Sequence, residues 1–231
     1  MARIWALDSL RGFAVALMLI FNWSFALKFF NVYSLDAGWL YWWLFPRFIG
    51  FSFLFIAGAS LALSWEKNKD YGHFVRRATF LFSLGLLITL ATWLLFPQEF
   101  IFFGVLHLLG AATLLSVPVL SRPRLAGLLG VSWMALTPLA AGIEGEGIPA
   151  AVFGLSVQGL NTLDYFPLLP WAGVVFLGAA FGRIVGHALR GLKEPAWSEP
   201  LAFLGKNSLL VYLLHQPLLV LALNLAGFKV F

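Results

Sequence analysis

Residues 100–120 read "FIFFGVLHLLGAATLLSVPVL", an apolar run with a single ionisable side chain, His107. A helix rises ~1.5 Å per residue, so a run of this length matches the ~30 Å hydrocarbon core of a bilayer. The question it raises is what surrounds that imidazole. In water the run would aggregate; in lipid it would span.

Six further runs of similar length flank it, at 9–30, 43–64, 74–95, 125–142, 164–188 and 206–226, each bounded by charges or turn residues. The composition agrees: of 231 residues 61% are hydrophobic and only 11% charged, with 24 Phe and 10 Trp. A water-soluble domain is near half apolar and a quarter charged, so this is a membrane composition. The first run exceeds a secretory leader in length and no small-residue cleavage site follows it, which makes it a retained span. We therefore expect an all-α fold: one polytopic integral membrane bundle over 1–231, with about seven transmembrane helices. The chain lacks cysteine, which removes disulfides, thiol nucleophiles and thiolate metal ligands, and we expect no metal site.

The charges set an orientation. With the N-terminus cytoplasmic, the inner side carries Arg3, Arg11, Lys67, Lys69, Arg76, Arg77, Arg122, Arg124, Arg183, Arg190, Lys193 and Lys206, and the outer side only Lys28, Arg47 and Lys229. Twelve against three is a strong positive-inside bias. The net charge of +5 then reflects membrane insertion, and no nucleic-acid partner is implied. The expected location is the cell (inner) membrane, with lipid as the surrounding partner.

Connections are short. The longest, around 143–163, holds a semi-apolar piece at 148–160 that cannot span and is expected to lie at the interface or dip partway in. Gly178, Gly182 and Gly186 recur every four residues, a face on which helix backbones approach closely, either within the bundle or across a homodimer seam. Trp39, Tyr41, Trp42 and Trp43 precede the second span as an interfacial aromatic belt would.

Polar groups within the spans are costly, and each is a candidate for function. Counting along the helices places His107 and Asn22 in the outer half, ~10 Å from that face, and His215 ~12–14 Å from the inner face. A neutral imidazole can accept and release a proton near neutral pH, or simply tie two helices together. Asp8 and Arg11, in "LDSLRG", fit a helix cap and an i,i+3 ion pair, or an inner-mouth hook for a phosphorylated donor. In "LDYFPLLPWAG", at 163–173, Asp164 is placed to open the sixth span and Pro170 breaks its ladder, so Asp164 either caps that helix or faces a pocket with Arg47.

Taken in order, "RIWALDSLRGFAVALMLIFNW", "FIGFSFLFIAGASLALSW", "FGVLHLLG", "LDYFPLLPWAGVVFLGAAFGR" and "FLGKNSLLVYLLHQPLL" resemble the prokaryotic relatives of the heparan-alpha-glucosaminide N-acetyltransferase catalytic domain, in the wider transmembrane acyltransferase group. The resemblance covers nearly the whole chain. It implies a helical bundle that takes acetyl-CoA as acyl donor at the cytoplasmic face and passes the acyl group to a sugar amine or hydroxyl on the far side. On that reading His107, Asn22 and Asp164 are the catalytic candidates: base or acyl carrier, oxyanion donor, and acceptor-orienting carboxylate. Asp8, Arg11, Lys206, Asn207 and His215 are the donor-binding candidates, and Arg47 and Trp171 the acceptor contacts. The chain departs from the family at one place: where relatives read like "FHFxxD", it has "FNWSFA", with Asn22 at the histidine and Ala26 at the aspartate. Animal members share the Asn and carry a histidine about three turns later, where this chain has Tyr33. Two other classes stay open: a non-catalytic subunit of a larger membrane complex, and a small transporter, which the missing inverted repeat disfavours.

Overall fold

The computed structural model describes residues 4–33 and 35–228. Arg3 and Lys229, both counted in the charge bias, lie outside the described residues. Regular structure is helical: α1 (Trp5–Phe29), α2 (Phe45–Lys67), α3 (Tyr71–Leu95), α4 (Val105–Ser116), α5 (Pro123–Ala141), α6 (Gly147–Phe153), α7 (Leu168–Arg190), α8 (Glu199–Lys206) and α9 (Ser208–Leu225). Among the described residues six helices are long and apolar enough to cross a membrane, namely α1, α2 with the π-helical turn Leu40–Leu44 before it, α3, α5, α7 and α9. The chain is a multi-pass membrane protein.

The seventh expected span is shorter than its apolar run. Only Val105–Val119 is helical, α4 ending in a 3₁₀ turn, while 100–104 is non-helical. The expected piece at 148–160 is the short helix α6, closed by Gly154 in the left-handed region (φ 87°), followed by a bridge between Glu144 and Ser156.

The chain packs as two compact units, Met1–Phe53 with His187–Phe231, and Leu54–Gly186. In the first, α1 packs along α8 and α9. The closest approach is reciprocal: a Cβ on Gly12 would collide with the Leu201 carbonyl, and one on Gly205 with the Asp8 carbonyl. Only glycine permits two helix backbones to meet at that distance. Nearby, the Trp5 indole donates to the Leu192 carbonyl at 3.1 Å and the Ser9 hydroxyl to that of Ser198 at 3.4 Å. The other end of α1 is aromatic, Phe21 lying 5.8–6.2 Å from the rings of Tyr41, Trp42 and Phe45.

In the second unit the predicted glycine face of α7 is used within the chain. Gly178 and Gly182 sit on the α2 backbone at Phe55 and Ala59, Gly186 meets Leu63, and Gly58 of α2 returns the contact to Val175. Gly130 of α5 and Gly173 of α7 likewise face each other, each 2.9 Å from the other's carbonyl if given a Cβ. Arg183 of α7 joins three elements, its Nη2 donating to the Leu120 carbonyl at 3.2 Å and its Nε lying 3.4 Å from Glu66.

Candidate functional site

In the second unit, α4 runs against α3 because Gly110 leaves room for Ala78 and Phe82, and Gly85 leaves room for the His107 ring. α3 continues six residues past Thr89, roughly 9 Å, and the chain then returns beside it. Ile101 marks the return: its N–H donates to Thr92 Oγ1 at 3.0 Å, and its carbonyl accepts from the Thr89 hydroxyl at 2.7 Å. A second segment zips onto this one. Leu163 N–H donates to the Glu99 carbonyl (3.0 Å), Phe166 N–H to that of Phe103 (2.9 Å), and Phe102 N–H to Thr162 Oγ1 (3.2 Å). Extended backbone is tolerated at membrane depth only when its polar groups are met in this way.

This pairing delivers Asp164 and His107 to one place, the first turn of α4. Asp164 Oδ2 accepts the Val105 N–H at 3.1 Å, and His107 Nδ1 accepts the Gly104 N–H at 3.3 Å. A helix start leaves its first N–H groups without partners, and these two side chains take two of them, His107 in the role a Glu plays in a capping box. Asp164 does cap a helix, but α4 rather than the sixth span, since α7 begins only at Leu168. Because an N–H can only donate, Nδ1 is unprotonated, and the hydrogen sits on Nε2, 3.4 Å from Thr89 Oγ1. His107 is buried, with Phe103 stacked on it and Phe82 edge-on. Its lone pair is committed to the backbone. At the α7 break, Leu169 leaves the helical region and the Leu168 carbonyl accepts the Trp133 indole at 3.0 Å. Trp171, one turn on, packs against Phe166 at 5.0 Å.

The first unit holds the other candidates. Asp8, 4% exposed, accepts from Arg11 Nη1 at 3.1 Å, so the carboxylate fixes the guanidinium at the α1–α8 crossing. Lys206 flanks the same crossing and is exposed, and Asn207 returns its amide to the Phe203 carbonyl at 2.9 Å. Arg47 donates to the Trp43 carbonyl at 2.7 Å and lies over that indole, itself stacked on Trp39, while Lys28 lies over Trp42.

The contact that sequence reasoning missed is between α1 and α9. Asn22 Nδ2 lies 3.1 Å from His215 Nε2, and His215 Nδ1 lies 2.7 Å from the Tyr212 carbonyl. A carbonyl can only accept, so Nδ1 carries the hydrogen and the Nε2 lone pair faces the Asn22 amide. Counting the last span from residue 206 at the membrane surface places Asn22 level with His107 and His215 at another depth. In the structure α8 lies along the first turns of α1, so α9 begins where α1 is already two turns in. From the Gly12–Gly205 crossing, Asn22 and His215 are each about ten residues along, which brings them level. Arg11 and Asn22 are also related: eleven residues is close to three turns, so they share a face of α1 ~16 Å apart.

Comparison with protein families finds a match over residues 3–217 to the model described as heparan-alpha-glucosaminide N-acetyltransferase, catalytic. Comparison with curated proteins and with solved structures finds no match.

Proposed function

Because the chain belongs to the heparan-alpha-glucosaminide N-acetyltransferase catalytic family, we propose that it moves an acyl group from cytoplasmic acetyl-CoA to an amine or hydroxyl acceptor, of sugar type, presented from the outer side of the cell membrane. The observation that carries this reading within the structure is the placement on one face of α1 of a cationic hook, Arg11, and a half-buried amide, Asn22, ~16 Å apart. That is the kind of span a pantetheine arm covers between its nucleotide phosphates and its thioester. Arg11, held by Asp8, and Lys206 suit phosphate oxygens through charge-assisted hydrogen bonds, with Asn207 beside them. Asn22 offers N–H groups to a carbonyl oxygen on which negative charge develops. Trp171 and Asp164 remain acceptor-side residues of the proposal, Asp164 and His107 acting by fixing the start of α4.

The test is direct. Purified protein in lipid nanodiscs is given radiolabelled acetyl-CoA with a glucosamine-type acceptor; labelled acceptor and free thiol should appear in equal amounts. Lys206→Ala should raise KM for acetyl-CoA about tenfold or more, the worth of a hydrogen bond between charged groups, with kcat little changed. A preparation that neither binds acetyl-CoA nor transfers label, and that co-purifies with a stoichiometric membrane partner, would establish the accessory-subunit reading instead.

A further inference from the structure

We infer that His215 is the general base of this reaction, with Asn22 as the group that holds its lone pair in the resting state and turns to the thioester when the acceptor arrives; the inference rests on the acyltransferase reading above. Three observations carry it. First, the two buried histidines differ in what occupies them. The His107 lone pair is bound to a backbone N–H that belongs to a helix start, so using it would uncap α4. Among the described residues the His215 lone pair is met by a side-chain amide, which rotates away without disturbing any helix. Second, the His215 ring is oriented. Its Nδ1–H is held by the Tyr212 carbonyl at 2.7 Å, an arrangement that fixes the tautomer and supports the positive charge a base acquires on protonation. Third, the pair lies on the α1 face that carries Arg11, so the group that would contact a thioester carbonyl and the group that would take the proton are already in hydrogen-bond contact.

The acceptor nitrogen or oxygen bonds to the thioester carbonyl carbon, and His215 Nε2 takes the proton that this atom loses. The displaced Asn22 N–H donates to the carbonyl oxygen while it carries negative charge. The carbon–sulfur bond then breaks, the thiolate leaves, and His215 returns the proton to sulfur, giving the acylated acceptor and free coenzyme A thiol. No oxidant, reductant or water is consumed. Neither histidine position of the family pattern is needed, which accounts for a chain that has Asn22 and Tyr33 at those places.

The experiment compares wild type, His215→Gln and His215→Ala in nanodiscs, each checked for monodispersity and for acetyl-CoA binding, with glucosamine as acceptor. The expected result is a kcat lower by about 10²–10⁴-fold in both variants, the usual worth of a general base. KM for acetyl-CoA should not change, and added imidazole should return part of the rate to His215→Ala, which a merely structural histidine would not allow. His215→Gln with wild-type kcat overturns the inference and leaves the acyltransferase reading standing. A rate loss that follows only the loss of folded protein, without imidazole rescue, also overturns it. Wild-type protein inert with acetyl-CoA and with both amine and hydroxyl acceptors overturns the acyltransferase reading and this inference together.

Discussion

His107 stood out in the sequence as the one ionisable group in its apolar run, and the structure shows why an imidazole is worth its burial there. α4 starts below the end of its neighbour α3, where water is not at hand for the first N–H groups, and His107 and Asp164 supply acceptors from protein. His107→Ala should therefore lower stability by about 1–3 kcal/mol for the orphaned Gly104 N–H, with a further loss for the vacated volume beside Gly85, read as a lower midpoint of unfolding in detergent. Asp164→Asn keeps an acceptor oxygen and should cost only about 0.3–1 kcal/mol, the worth of the charge at a helix start, whereas Asp164→Ala should cost more in the same assay. Residue types that carry chemistry were legible in the sequence. What was not legible is which nitrogen of each histidine is engaged, because that depends on a backbone donor at Gly104 in one case and a backbone acceptor at Tyr212 in the other.

At the scale of elements, apolar periodicity and charge located the spans but overestimated one of them. The run 100–120 is long enough to cross, yet Gly104 and the paired segment at 161–166 draw its first five residues into a non-helical return. Hydropathy cannot distinguish a helical residue from an extended one whose backbone is satisfied by threonines. The short helix α8 was likewise hidden, since Glu199–Lys206 lies almost wholly before the run 206–226 expected as the last span, and this displaced the predicted depth of His215. Helix contacts through glycine were legible where the spacing was regular, on α7, and not where a single glycine on each partner suffices, at Gly12 and Gly205. These contacts differ sharply in what they tolerate. Gly205→Ala and Gly178→Ala should each destabilise by about 1–3 kcal/mol or more, since the obstacle is backbone that no side-chain rotation relieves. Gly127→Ala in α5 is the control: its nearest neighbour is the Ala180 methyl at 3.5 Å, so it should be neutral or stabilising by up to ~1 kcal/mol in the same denaturation series.

For the whole molecule, orientation is the property on which the direction of acyl transfer depends, and the cysteine-free sequence makes it simple to measure. With the N-terminus cytoplasmic, Glu144→Cys before α6 should react with a membrane-impermeant maleimide on intact cells, and Asn68→Cys between α2 and α3 only after permeabilisation. The opposite pattern would reverse the donor and acceptor sides. Membership of the family was legible from motifs spread along the chain, because each marks a close helix contact or a polar group that lipid makes costly to misplace.

The interlock of Gly12 with Gly205 also bears on biogenesis. One unit is a continuous stretch, 54–186, whereas the other joins the first helix made to the last two. As the chain leaves the ribosome, the face of α1 that α8 will cover is synthesised about 190 residues before its mate, so α1 must wait in the bilayer or against the insertion machinery with that groove unfilled. Stopping translation after α7 should leave the continuous stretch protease-resistant and the leading helix free to be captured by whatever assists insertion, until α8 and α9 arrive to seal it.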